Sequence, residues 1–162
     1  IGGIRVLGCS LWNDYALCGE GRVREAAEWA KECLADFRQI LFSSGRTIDP
    51  ADVVERYREH VAWLDREIAR SDRPTLVVTH HAPTGAMANP EYAAMISNAS
   101  FHSNADHLIR HPVRMWVYGH THHNVDFLHQ GVRVVTNQGG YRFEGVRNFR
   151  VDGLFTFDDS DR

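Results

Sequence analysis

Two short apolar segments that end in histidine constrain this chain more than anything else in it. Arg114-Met-Trp-Val-Tyr118 has the composition of a buried strand, Gly119 interrupts it, and His120 and His122 follow at a spacing of two. Thr75-Leu-Val-Val-Thr79 is apolar and β-branched, runs into His80 and His81, and is closed by Pro83. Side chains at i and i+2 of an extended segment point the same way, so the rings of His120 and His122 are expected to face one site while Thr121 turns elsewhere. Neutral imidazole offers a lone pair without a buried charge, which makes it the commonest metal ligand at neutral pH. Taken alone, Gly-His-Thr-His fits a histidine-rich surface turn equally well. The second strand end shifts the balance, because ligands in open α/β sheets bind at the carboxyl ends of strands, where the two can converge. Spacing does not choose between His80 and His81 as the ligand.

The rest of the chain supplies a scaffold. Val23, Ala27, Ala30, Leu34, Phe37 and Leu41 recur every three or four residues and predict an amphipathic helix over about 21–42. After the turn signal Ser43-Ser-Gly45, Asp49 and Pro50 supply an N-cap and a first-turn proline for a second helix, with Val54, Tyr57, Val61, Leu64 and Ile68 on its packed stripe and His60 on a solvated face. A strand is expected near Ile4 to Leu7, leading to Trp12 and Tyr15, which are read as packed aromatics. A long irregular loop covers 84–101, a short helix capped by Ser103 runs over 104–110 with His107 and His111 exposed, and Gln130-Gly131 joins 125–129 to 132–136 as a β-hairpin. A last strand is expected over 153–157, before an acidic tail at Asp158 to Asp161.

The 162 residues fit one domain, and 43% apolar residues suffice for a core. A net charge of -3 leaves no basic footprint for nucleic acid. No stretch approaches the roughly 18 apolar residues of a membrane span. Cys9, Cys18 and Cys33 form no Cys-x-x-Cys pair, and their odd count argues for buried, reduced thiols and a cytoplasmic setting rather than a disulfide framework.

Thr79-His-His-Ala-Pro83 followed some way on by Gly119-His-Thr-His122 resembles the C-terminal half of the calcineurin-like metallophosphoesterases, and Val134-Val-Thr-Asn-Gln-Gly-Gly-Tyr141 is similar to the closing strand and glycine turn of bacterial members. The resemblance runs from Ile4 to Phe157. It implies an α/β fold, a partial phosphoesterase sandwich in which a mixed sheet is flanked by helices and the N-terminal half is absent. The helical hairpin at about 21–71 would be an insertion that caps the site. Three further patterns of that family, Asp-x-His, Gly-Asp and Gly-Asn-His, occur nowhere in the sequence. The chain is therefore expected to be the C-terminal portion of a longer enzyme, with exposed sheet surface when alone.

The activity implied is metal-dependent hydrolysis of phosphate mono- or diesters by a hydroxide bridging two divalent ions, Mn, Fe or Zn. His80, the first of its pair, and His120 would bind one ion and His122 the other, incompletely ligated without the missing carboxylates. His81 becomes a supporting or phosphate-facing group, and Asn89, Tyr92 and His102 become candidate substrate contacts. The general-acid histidine is expected outside this sequence, so the stretch alone should be inactive or nearly so. Its expected partners are a phosphate ester and the missing half of its own domain. Two other classes stay open: a mononuclear zinc hydrolase built on His80, His120 and His122, and a non-catalytic binding module on a degenerate scaffold.

Overall fold

The computed structural model describes residues 2–157. The order of elements follows the hydrophobic pattern closely: β1 (Arg5–Cys9), α1 (Val23–Cys33), α2 (Asp36–Gln39), α3 (Pro50–Ala69), β2 (Thr75–Thr79), β3 (Val113–Val117), β4 (Asp126–His129) and β5 (Val132–Val135). The strands form one sheet in the order β1-β2-β3-β5-β4. Neighbours are parallel from β1 to β5, and β4 returns antiparallel to β5. Gln130 (φ 51°) and Gly131 (φ 78°) make that return, and the left-handed pair is what a two-residue hairpin requires.

Alternation along the strands gives the sheet two unlike faces. Register aligns Leu7, Val77, Trp116, Val134 and Phe127 across all five strands. This row packs under α3 through Tyr57, Leu64 and Ile68, together with Leu108 and Ile109. Trp116 is wholly buried at the centre, and its Nε1–H donates to Thr79 Oγ1 at 2.9 Å. The Thr79 hydroxyl in turn donates to the carbonyl of His81 at 2.8 Å, tying the core to the end of β2. The opposite face carries Val6, Val78 and Leu128, all exposed, at 49, 39 and 73%. The α3 helix begins as its sequence demands: the Asp49 side chain accepts from the Ala51 N–H, Asp52 accepts from the Asp49 N–H, and Pro50 holds the first turn.

Several expectations need correction. The helix expected over 21–42 is broken. Leu34 is extended (φ -84°, ψ 139°) between α1 and α2, and this swings Phe37 into a second core with Tyr15, Ala26, Ala30, Val53 and Ala99. The helix expected over 104–110 is a single 3-10 turn, Asp106–Leu108. Pro112 disfavours helical backbone at the residue before it and denies the turn a continuation. His107 and His111 are exposed as expected. His60 is half-buried rather than solvated, its Nδ1 lying 3.4 Å from the Leu11 carbonyl.

No strand forms over 153–157. That segment is pinned to the sheet by side chains instead, Arg133 donating to the Thr156 carbonyl and its guanidinium lying over Phe155. The acidic tail lies outside the described residues. The three cysteines are free thiols, but none is buried: Cys9 and Cys18 are half-buried and Cys33 is exposed. No helix among the described residues is long and apolar enough to cross a membrane.

Candidate metal centre

Parallel pairing of β2 with β3 brings the carboxyl ends of both strands to one rim of the sheet, and with them the two histidine segments. The Gly119 N–H donates to the His80 carbonyl at 3.0 Å, locking the turns together just past the strands. A side chain at position 119 would meet the His80 ring, its Cβ falling 3.6 Å from Nδ1. The rings of His80 and His120 lie 4.7 Å apart between centroids, and that of His81 is 4.2 Å from His120. Phe101 covers the other side of His120 at 4.8 Å.

The His120 to His122 turn is not the extended segment that its spacing suggested. His120 (φ 67°) and His122 (φ 48°) both adopt left-handed backbone, uncommon for residues other than glycine and of the kind that concentrates at functional sites. His120 lies against His80, whereas His122 lies against Tyr141, at 5.1 Å, and near Glu144, and both border one cleft. What holds the turn was not read from the sequence. Gln138 Oε1 accepts from the His122 N–H at 2.8 Å, and Gln138 Nε2 donates to Thr121 Oγ1 and to the His123 carbonyl. Thr136 Oγ1 also donates to the His123 carbonyl, and Asn124 bonds both ends of the Gln138 peptide. The only sequence signal for this bracket was polar residues, Thr136 and Gln138, directly after a buried apolar strand.

Burial favours the uncharged form of the His80, His81 and His120 rings. Burial, reinforced by His80, His122 and His102, pushes His120 down to about 3. Burial, then His120 and His80, pushes His81 well below its ordinary range, and burial also lowers His80 against the opposing pull of Asp36. Neutral rings are the form a metal requires, so no proton need be displaced near pH 7. His120 Nε2 is buried without a hydrogen-bond partner, a donor atom held without any other use. His122 Nδ1 lies 2.7 Å from Glu144 Oε2. These donors fit a borderline transition-metal ion. Among the described residues, however, no three His, Cys, Asp or Glu side chains come close enough to hold one ion. His80, His120 and His122 therefore do not make a single three-histidine centre.

The remaining site candidates sort by position. Asn89, Tyr92, His102, His120 and His122 line one cleft of about 930 Å³, which also reaches the end of α1 at Cys33 and Leu34. Tyr92 is exposed at its rim, while Asn89 uses its side-chain oxygen to accept from the Glu91 N–H. His102 is a buried part of the wall, its Nδ1 facing the Asn98 carbonyl at 3.3 Å. His81 is not at the cleft surface. It is 2% exposed, sits 4.9 Å from Trp12, and places Nδ1 3.2 Å from the Ser10 carbonyl.

Burial pushes His102 down to about 4, against the Asn98 carbonyl. A folded value below the ordinary 6.5 means that the unfolded chain binds the proton more readily. The stability this ring contributes is therefore full above about pH 6.5 and is lost as pH falls toward 4. Relative to His102→Leu, the protein is expected to lose roughly 3 kcal/mol across that interval. Urea unfolding of both proteins at the two ends checks this, and a constant difference between them would show that the ring titrates normally.

The sequence model of the calcineurin-like phosphoesterase family matches residues 10–124, from the end of β1 through the His120 to His122 turn. The chain belongs to the calcineurin-like phosphoesterases. It is similar to an uncharacterized protein of Acanthamoeba polyphaga mimivirus, 31% identical over 93 residues that cover 53% of this chain and 33% of the viral one. Its fold is similar to the crystal structure of phosphopantetheinyl hydrolase from Mycobacterium tuberculosis, with a TM-score of 0.56, 21% identity, and coverage of 84% of this chain and 49% of the other. The mixed sheet with flanking helices is thus the phosphoesterase architecture. The chain spans about a third of the length of the viral relative and about half that of the mycobacterial enzyme.

Proposed function

We propose that the natural protein carrying this sequence is a metal-dependent phosphoesterase, with His80, His120 and His122 as imidazole ligands to two divalent cations. The observation that carries this reading is the meeting of the His80 and His120 rings at the ends of two adjacent parallel strands, His120 with a buried, unpartnered nitrogen. Membership of the phosphoesterase family and the likeness in fold to a hydrolase support it. Divalent cations at such a centre supply positive charge against the phosphate oxygens and lower the pKa of a bound water.

The residues of this chain then divide the work. His80 and His120 serve one cation and His122 the other. Asn89 and Tyr92, on the same cleft, contact the ester substituent, and His102 shapes the wall behind it. His81, enclosed between Trp12 and His120, acts by holding its neighbours in place. The α1 end of the helical insertion caps the cleft, which it borders at Cys33, Leu34 and Asp36, while its α3 arm packs on the sheet. Carboxylate ligands and the general acid come from a further segment of the natural protein, packed on the sheet face where Val6, Val78 and Leu128 are exposed. The fraction of its relatives that this chain spans accords with such a segment. A cytoplasmic location is part of the same proposal and rests on the odd number of free thiols.

Metal analysis of the natural protein, together with hydrolysis of p-nitrophenyl phosphate and its bis ester, tests this. About two cations per chain and activity abolished by chelation are expected, with neither property retained by the 162-residue stretch alone. Hydrolysis indifferent to chelation, or a natural protein that takes up no cation, would rule the reading out.

A further inference from the structure

The loop that follows the Gln138 bracket holds two aromatic rings in solvent and fixes them there. Tyr141 is 62% exposed and Phe143 85%, yet their rings stack 5.6 Å apart between centroids and within 12° of parallel. The backbone beneath them is closed on itself: the Tyr141 carbonyl accepts from the Glu144 N–H at 2.9 Å, and the Glu144 carboxylate accepts from the Tyr141 N–H at 2.8 Å. Gly140, at a left-handed φ of 63°, gives this turn its room, since a Cβ there would run into Glu144 Oε2 and Val146 Cγ2. A stack that leaves so much ring area in water contributes little to folding. What it does is set the plane of Tyr141. That ring borders the large cleft and Phe143 does not, so Phe143 backs it from outside. Within the cleft the Tyr141 ring meets His122 edge-on at 5.1 Å, and Tyr92, also exposed, lines the same space.

We infer that Tyr141, backed by Phe143, is a specificity residue that stacks on a planar aromatic ring in the alcohol half of the substrate, so that the preferred ester is that of a nucleoside or a comparable aromatic alcohol. The inference rests on the phosphoesterase reading: an ester whose phosphate is held beside His122 carries its substituent against the neighbouring ring. An alkyl chain or a bare sugar gains little from a flat, braced face. A nucleobase gains about 5- to 100-fold in affinity from one such contact, whichever base it is, because every base has a π-face.

Adenosine monophosphate and ribose phosphate, both esterified at the terminal sugar hydroxyl, differ only in the base, so comparing them isolates the ring. In the natural protein supplied with Mn²⁺, KM for the nucleotide should lie about 5- to 100-fold below that for the sugar phosphate. Tyr141→Ala should abolish this preference through KM rather than kcat, and Tyr141→Phe should keep it. Both substitutions replace a largely exposed ring, so the fold is not at stake. In the metal-free natural protein, the nucleotide should shift the ring-proton resonances of Tyr141 by its ring current, and ribose phosphate should not. Equal KM values in wild type, a preference that survives Tyr141→Ala, or Tyr141 resonances that the nucleotide leaves unmoved, as they would be if another part of the protein covered the ring, would overturn the inference. Failure to hydrolyse either ester or p-nitrophenyl phosphate, with the Tyr141 resonances still shifted by the nucleotide, would instead overturn the phosphoesterase reading and leave the aromatic site standing.

Discussion

Replacing His120 with alanine in the natural protein is expected to lower phosphoesterase turnover by at least about 100-fold, because groups that merely support a ligand already cost up to that factor. The same change should barely alter the stability of the metal-free protein. Wild-type His120 buries a nitrogen with no partner, a penalty of about 1–3 kcal/mol that alanine removes, while the vacated space against His80, His81 and Phe101 costs a similar amount. The two effects oppose each other. Cation-induced stabilisation should therefore separate the proteins: about 2.7 kcal/mol at a hundredfold excess over the dissociation constant in wild type, and far less in the variant. Thermal melts with and without Mn²⁺ or Zn²⁺ measure this. A His120→Ala protein with full turnover and an undiminished thermal response would remove His120 from the centre.

Truncating Trp116 to alanine should cost about 3–5 kcal/mol, the largest stability loss expected in this chain. The indole is wholly buried on the central strand, where it meets Val77 and Val134 across the register, and α3 lies over that face. Its removal also takes the donor from Thr79 Oγ1, the hydroxyl that anchors the His81 carbonyl. Trp116→Phe separates the two contributions. It keeps most of the volume, leaves Thr79 without the indole, and should lose about 1 kcal/mol for the hydrogen bond beyond a small packing term. Urea unfolding of the three proteins tests this. A loss below about 1 kcal/mol in Trp116→Ala would mean that this ring is not at the centre of the core.

The sheet was legible in the sequence because its signals are local. Thr75 to Thr79 and Arg114 to Tyr118 are short apolar stretches bounded by turn residues, and Asp49-Pro50 is a helix start with its own hydrogen-bonding logic. Where competing interactions are tertiary, the pattern misled. The break at Leu34 has no glycine or proline to announce it, and the apolar spacing carries on through it because Ala30 before it and Phe37 after it are both buried. The strand expected over 153–157 has the right composition, but Arg133 binds the Thr156 carbonyl within it and Asn137 the Arg150 carbonyl just before it, so side chains rather than a ladder hold it.

The site divided in the same way. The histidines were visible by type and position, and His80 and His120 do meet. Their left-handed turn was invisible, since nothing in Gly-His-Thr-His demands it. The residues that enforce it, Gln138 and Thr136, are distant in sequence and chemically ordinary.

The rim where β2 and β3 end joins two rings from strands linked by a long crossover, and each parallel pairing must form before the rings can meet. For the metal centre proposed above, occupancy would consequently be a late event in folding, and ion capture would serve as a clock for it. A refolding chain should acquire secondary structure before it acquires affinity for the ion, and the lag between the two signals would time the closure of that crossover.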